Sequence, residues 1–368
     1  MDDQQYMRMA LELAKKGCGF VAPNPMVGAV IVKDGRIIGQ GWHEKYGGLH
    51  AERNALASCM ESPKGADMYV TLEPCCHHGK QPPCVDAILE AGIRRVVTGC
   101  ADPNPLVGGK GIRLLRKQGV EVTENVLQKE CRELNEVFFH YIRTGRPFVV
   151  MKYAMTMDGK IASYTGASRW ITGETARAHV HQQRHQYTAV MTGVGTVLAD
   201  DPLLTCRMEG GKNPIRIICD SALRTPRDAK VAATARQVPT ILATCCDDQR
   251  EQLAFEALGC RILLVGEKDG HVDLQELMEK LGNEQIDSIL MEGGGALNWN
   301  ALKRGIVQKV QAYIAPKFLG GHKASTPVEG IGVPSPDEAI LLKNSRITRL
   351  GEDFLIESEV DSDVYRDC

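Results

Sequence analysis

The 368 residues are more than one hydrophobic core commonly serves, so the chain reads as two domains. Hydrophobic residues at 43% and charged residues at 24% exclude a disordered or fibrous chain. A net charge of -2 excludes a global positive field for nucleic acid or anionic lipid, leaving only a local basic groove as an alternative.

No run approaches the roughly 20 apolar residues of a bilayer span. The polar, acidic start Met1-Asp2-Asp3-Gln4-Gln5 is unlike a secretory signal. Thirteen cysteines in such a chain point to metal ligands or reduced thiols, and to the cytosol.

In chain order, apolar residues at 7, 10, 11 and 14 predict a helix over Met7–Lys16. Ala29–Val32 and Arg36–Ile38 flank Lys33-Asp34-Gly35 as a hairpin with a tight turn. A helix over His50–Met60 and a strand over Met68–Leu72 follow. A further helix opens at Pro83, a good first-turn residue, and runs to Glu90. Arg94–Gly99 reads as a strand, 111–118 as a helix, and Gln128–Arg143 as one long helix. Thr144-Gly145-Arg146-Pro147 breaks that helix and marks the boundary between domains 1–145 and 146–368. Beyond it, strand-like runs at 148–154, 188–192, 215–219, 239–243, 261–265, 286–291 and 308–314 alternate with helical patterns at 174–186, 248–258, 273–281 and 296–304. Such alternation implies a largely parallel sheet, and both halves read as three-layer α/β domains.

The sharpest chemical signal is His50-Ala51-Glu52, followed by Pro74-Cys75 and then Cys84. A catalytic zinc commonly takes three protein ligands and keeps a fourth position for water, whose pKa it lowers. His50, Cys75 and Cys84 would be the ligands, and Glu52 the proton shuttle that does not bind the metal. The zinc-deaminase signature is H-x-E and then P-C-x-x-C, whereas residues 76–83 separate the two cysteines here. Cys76, His77 and His78 sit beside Cys75 as rival ligands. The bland alternative is a surface histidine with two buried thiols.

Pro23-Asn24-Pro25-Met26-Val27-Gly28-Ala29, Gly41-Trp42-His43, His50-Ala51-Glu52 and the run Thr71–Cys84 resemble the bifunctional deaminase-reductase family of riboflavin biosynthesis, in which the longer cysteine spacing is usual. The resemblance implies a cytidine-deaminase-like first domain with Zn2+, and substrate contacts from Asn24, His43, His77 and Lys80. By themselves Asn24 and His43 would be ordinary polar groups of a loop and a turn.

In the second half no Gly-x-Gly-x-x-Gly follows a strand, and no Gly-Lys pair precedes Ser or Thr. The nucleotide-binding candidate is Ser288–Leu297, an apolar strand running through Gly293, Gly294 and Gly295 into a helix whose start favours phosphate. Lys152–Lys160, Ser168–Thr172, Gly195–Thr205 and Glu292–Gly295 are similar to the reductase half of the same family, whose fold is like dihydrofolate reductase. The resemblance implies NADPH at Ala154, Trp170, Thr196, Asp200 and Ser221, and along Gly294, Gly295, Ala296, Leu297, Asn298, Trp299 and Asn300. It implies substrate at Ser168, Arg184, Leu204, Arg207 and Glu292. Singly, Trp170 reads equally as core, Asp200 as a cap and Arg184 as solvated helix surface. Hydride transfer to a ring-opened ribose needs position and charge from the protein, for which Lys152, Asp200 and Glu292 are candidates.

The expected function is deamination of a diamino phosphoribosylamino pyrimidinone to the uracil, then reduction of its ribosyl chain to ribityl. The expected partner is that small phosphorylated substrate, with no nucleic acid and no membrane, and a homo-oligomer is left open. One rival is a nucleic-acid-editing zinc deaminase with a carboxy-terminal binding module, which wants a basic stripe and exposed aromatics where this chain has 5% aromatics. Another is a non-catalytic zinc protein, against which Glu52 stands.

Overall fold

The computed structural model describes residues 1–77, 81–104 and 108–361. The chain divides into two compact units, Met1–Gly145 and Arg146–Cys368.

The first unit runs α1 (Asp3–Lys15), β1 (Gly28–Lys33), β2 (Arg36–Trp42), α2 (Ala51–Ala57), β3 (Asp67–Leu72), α3 (Cys84–Glu90), β4 (Arg95–Cys100), α4 (Lys110–Lys117), β5 (Glu121–Thr123), α5 (Gln128–Leu134) and α6 (Glu136–Thr144). Its sheet has the order β2-β1-β3-β4-β5. β1 is antiparallel to β2 and β3, and β3, β4 and β5 are parallel. Helix α1 starts earlier than its apolar spacing predicts, because Asp2 and Gln5 form a capping box that satisfies otherwise orphaned amides. Its buried face, Tyr6, Met7, Ala10 and Leu11, packs with Phe138 and Phe139 on one side of the sheet. Ala51, Ala55, Val85 and Ile88 of α2 and α3 cover the other side. Helix α2 lies unusually close to β2: a Cβ added at Gly41 would stand 2.3 Å from the Ala55 nitrogen. That close seat fixes where His50 and Glu52 project.

The predicted helix over Gln128–Arg143 is two helices. Asn135 breaks it: its buried side chain accepts a hydrogen bond from the Met26 N–H at 2.8 Å and donates to the Met26 carbonyl at 2.9 Å. An amide that pairs with backbone outside its own helix competes with the helical ladder.

The second unit runs β6 (Phe148–Thr156), α7 (Glu174–Gln186), β7 (Ala189–Gly193), α8 (Val194–Asp200), β8 (Ile215–Cys219), α9 (Lys230–Ala233), β9 (Thr240–Thr244), α10 (Gln249–Leu258), β10 (Arg261–Leu264), a short hairpin β11 (Glu267–Lys268) and β12 (His271–Val272), α11 (Leu274–Asn283), β13 (Ser288–Met291), α12 (Gly295–Lys303), β14 (Lys309–Ala315), β15 (Leu342–Leu350) and β16 (Asp353–Val360). The large sheet has the order β10-β9-β8-β7-β13-β6-β14-β16-β15. It is parallel from β10 to β14, and the inner strands β9, β8, β7 and β13 are mostly buried and read as apolar runs. β16 and β15 add antiparallel at one edge, and the alternating helix–strand pattern does not predict them. The core gathers Met151, Met191, Ile217 and Ile289 from the central strands with Leu277 and Leu281 of α11.

Among the described residues no helix is long and apolar enough to cross a membrane.

Candidate active sites

In the first unit the chemistry gathers at the carboxyl ends of the parallel strands β3 and β4, where open α/β sheets hold ligands. Cys75 follows β3, Cys84 opens α3, and His50 is the residue before α2. The loop is closed by the Val85 N–H donating to the Cys75 carbonyl at 3.2 Å. Arg53 Nη2 also donates to the Pro83 carbonyl at 2.8 Å. His50 Nδ1 stands 3.5 Å from Cys75 Sγ and 3.3 Å from Cys84 Sγ.

The three ligand atoms lie within 4.8 Å of one another, and one imidazole with two thiols is a donor set that zinc takes. Cys76 is not in this cluster. The site therefore fits a zinc ion held by His50, Cys75 and Cys84. The hydrogen bond between the two thiols pulls Cys75 well down and pushes Cys84 up. His50 is raised, first by its bond to Cys75. Glu52 is 4% exposed, and burial pushes its carboxyl up.

His50, Glu52 and Cys75 line a cavity of about 300 Å³ together with Asn24, His43, His77, Asp102 and Asn104. His43 is buried, and burial lowers its pKa. The buried Nδ1 of His77 has no partner among the described residues. Lys80 and His78 lie outside the described residues.

Asp102 and Asn104 escape a motif search. Their signal is position: they follow β4, next to the strand that leads to Cys75. Burial pushes the Asp102 carboxyl up to about 6. Glu73 braces this wall. Its buried carboxylate accepts from the N–H groups of Gly109 (2.9 Å), Gly111 (3.1 Å), Ile112 (3.3 Å) and Asp102 (3.4 Å). It thus supplies the cap that Gly109, without a side chain, cannot give to α4.

In the second unit the expected cofactor residues follow the carboxyl ends of three neighbouring strands: Ser221 after β8, Thr196 and Asp200 after β7, and 294–300 after β13. Gly294 is the residue before α12, and a Cβ there would stand 3.7 Å from Thr196 Oγ1. Gly295 admits no side chain, since its Cβ would meet Glu329 Cγ at 2.5 Å. Ala296 is exposed, while Leu297 packs on the central core and Asn300 is half-buried. Asn298 is fully buried and donates to the Pro327 carbonyl at 2.8 Å. Trp299 stacks against Gly330. Both side chains therefore brace the 327–330 loop. Ser221 Oγ accepts from the Val272 N–H at 3.1 Å. Ala154 packs against the cluster of Ala176 and Tyr313. Trp170 is 60% exposed, not core, with the Arg177 guanidinium 4.5 Å from its ring centre.

The charged centre is Glu292, just past β13. Arg184 grips it through Nε at 2.6 Å and Nη2 at 2.9 Å, and Lys152 Nζ stands 3.6 Å away. Arg184 Nη1 also donates to the Thr205 carbonyl at 3.0 Å, so this residue is no solvated helix surface. Burial raises the Glu292 carboxyl, but the Arg184 and Lys152 charges outweigh burial and hold it at about 2. Burial lowers the Lys152 ammonium. Ser168 Oγ donates to Asp200 Oδ1 at 2.9 Å. Leu204 is buried, and Arg207 is exposed with no carboxylate partner among the described residues.

A deaminase-type zinc centre on one unit and an α/β reductase on the other define the class of protein. The family described as "cytidine and deoxycytidylate deaminase zinc-binding region" matches residues 1–100, and "RibD C-terminal domain" matches 147–356. The chain is 54% identical over 357 residues to the riboflavin biosynthesis protein RibD of Actinobacillus pleuropneumoniae, covering 97% of this chain and 95% of that one. The solved structure of RibD from Acinetobacter baumannii is 35% identical with a TM-score of 0.88, covering 98% of this chain and 99% of its own. A Thermotoga maritima structure titled diaminohydroxyphosphoribosylaminopyrimidine deaminase / 5-amino-6-(5-phosphoribosylamino)uracil reductase is 38% identical with a TM-score of 0.84, at the same two coverages. The chain belongs to the RibD family, the bifunctional deaminase-reductases of riboflavin biosynthesis. Its fold joins a cytidine-deaminase-like unit to a dihydrofolate-reductase-like unit.

Proposed function

We propose that unit Met1–Gly145 carries the hydrolytic deamination and unit Arg146–Cys368 the reduction, with the residues in the following roles. The observation that carries the reading is the His50, Cys75 and Cys84 cluster with the buried Glu52 beside it. Those three residues would hold a zinc ion, which would supply a water of lowered pKa. Glu52 is not a ligand; it takes a proton from the attacking water and gives it to the departing ammonia. Burial above the ordinary carboxylate range suits a group that must both accept and return a proton. Asn24, His43 and His77 form the wall that holds the pyrimidine, and Lys80 is a further substrate residue.

Ala154, Trp170, Thr196, Asp200, Ser221 and the 294–300 segment would hold NADPH, which would supply the hydride for reduction. Lys152, Ser168, Arg184, Leu204, Arg207 and Glu292 hold the ring-opened sugar phosphate. The Glu292 carboxylate keeps Lys152 and Arg184 fixed at the sugar's oxygens. The work is cytosolic and done on a small phosphorylated pyrimidine, not on nucleic acid; salt-sensitive retention on single-stranded nucleic acid would contradict that.

Metal analysis with ammonia release tests the deaminase roles. Cys84→Ser should strip the metal and the ammonia release, because a thiolate ligand is lost, while Cys76→Ser should keep both. Loss of zinc from Cys76→Ser, with retention in Cys75→Ser, would reassign the ligands.

A further inference from the structure

We infer that His43 is a positioning residue whose imidazole fixes the amide of Asn24, so that Asn24 turns its Oδ1 and its second N–H to the pyrimidine one way round. The inference rests on the deaminase reading above and names a recognition rule for that site. The steps are hydrogen-bond directions. The Leu49 carbonyl oxygen can only accept, and it lies 2.9 Å from His43 Nδ1, so Nδ1 carries the ring proton. The ring is 2% exposed and edge-on to His50, with ring centres 5.5 Å apart. A neutral imidazole protonated on Nδ1 leaves Nε2 as a bare lone pair.

Asn24 stands 3.1 Å from that nitrogen. Only the amide nitrogen of Asn24 can satisfy it, since two acceptors would repel. The amide is thereby set one way round. Its Oδ1 and second N–H are left for the cavity that Asn24 lines. The backbone beneath is pinned, with the Asn24 N–H donating to the Val21 carbonyl at 2.9 Å.

The chain from the Leu49 carbonyl through the imidazole to the amide therefore presents the ligand with an acceptor, Oδ1, and a donor, the second N–H, in one fixed order. A pyrimidinone that keeps a ring N–H or an exocyclic amino group beside the reacting carbon can give that hydrogen to Oδ1, and a neighbouring ring acceptor can take the second N–H. Both His43 nitrogens are consumed by protein partners, so His43 acts on the substrate through Asn24.

A double-mutant cycle on the full chain tests this, with deaminase kcat and KM measured for N24A, H43F and the N24A/H43F pair. Each single change should raise KM about tenfold, the effect of about one lost hydrogen bond. The pair should be no worse than N24A alone. H43N, which keeps a donor for Leu49 but has no acceptor in reach of Asn24, should behave like H43F. H43Q, whose longer amide can place an acceptor there, should recover most of the loss. Zinc content and reduction of the already deaminated substrate should not change in any variant. If H43F does not fold, H43N and N24A/H43N give the same comparison. Multiplying losses in the pair, or loss of zinc from both H43F and H43N, would overturn the positioning role. Failure of the wild-type zinc form to release ammonia would instead overturn the deaminase reading itself.

Discussion

Arg207 and Arg184 carry the same charge in very different settings. Arg184 is committed to Glu292 and to the Thr205 carbonyl, whereas Arg207 is exposed and has no carboxylate among the described residues. A sugar phosphate is a dianion that a planar guanidinium can grip in paired hydrogen bonds, and Arg207 is the one with its fork to spare. Arg207→Ala should raise the reductase KM for phosphorylated substrate about tenfold, while the KM for NADPH hardly moves. A fall in NADPH affinity with unchanged substrate KM would assign Arg207 to the cofactor. The residues read from the sequence divide by how local their signal is. His50, Cys75 and Cys84 were legible because metal ligation demands fixed residue types at short spacing. Asp102 and Glu73 were not, since a carboxylate after a strand or before a proline has no motif until the fold turns it inward.

At the scale of elements, the strands and helices of the central sheets follow from apolar runs and their punctuation. The split helix and the unforeseen edge strands share one cause, pairing across long sequence distance, whereas the early start of α1 comes from a local capping box. Asn135 divides a helix because Met26 offers it a backbone partner, and β15 and β16 gain strand structure by joining the edge beyond β14. Glu73 is the same kind of link, since one carboxylate caps α4 and ties it to the Asp102 wall. Glu73→Gln halves the acceptor oxygens and removes the charge at a helix start. It should cost about 2 kcal/mol of stability and raise the deaminase KM, with zinc retained. Denaturant unfolding beside zinc analysis checks this; unchanged stability would show that the cap is not needed. The ion pair just past β13 has its own pH signature. Glu292 sits at about 2 in the fold, below the ordinary carboxylate range. Its stabilisation is therefore complete above the unfolded-chain value and is lost as pH falls toward about 2. The stability difference between wild type and Glu292→Gln should be on the order of 3 kcal/mol at neutral pH and shrink below about pH 4.5. A difference that stays constant down to pH 2.5 would show that Arg184 and Lys152 do not depress this carboxyl.

For the whole molecule, two folds with two separate sets of chemical groups predict two activities that fail separately. The zinc-fitting triad and Glu52 lie in Met1–Gly145, and Lys152, Arg184 and Glu292 lie in Arg146–Cys368. The direct test is Glu52→Gln, which deletes the proton shuttle and leaves every metal ligand. The variant should be given the undeaminated and the deaminated phosphoribosyl pyrimidine in turn, with ammonia release and NADPH oxidation followed in each. Zinc should remain, ammonia release should fall by about 100- to 10,000-fold, and NADPH oxidation on the deaminated substrate should match wild type. Ammonia release at the wild-type rate, or an equal fall in both reactions, would contradict the account.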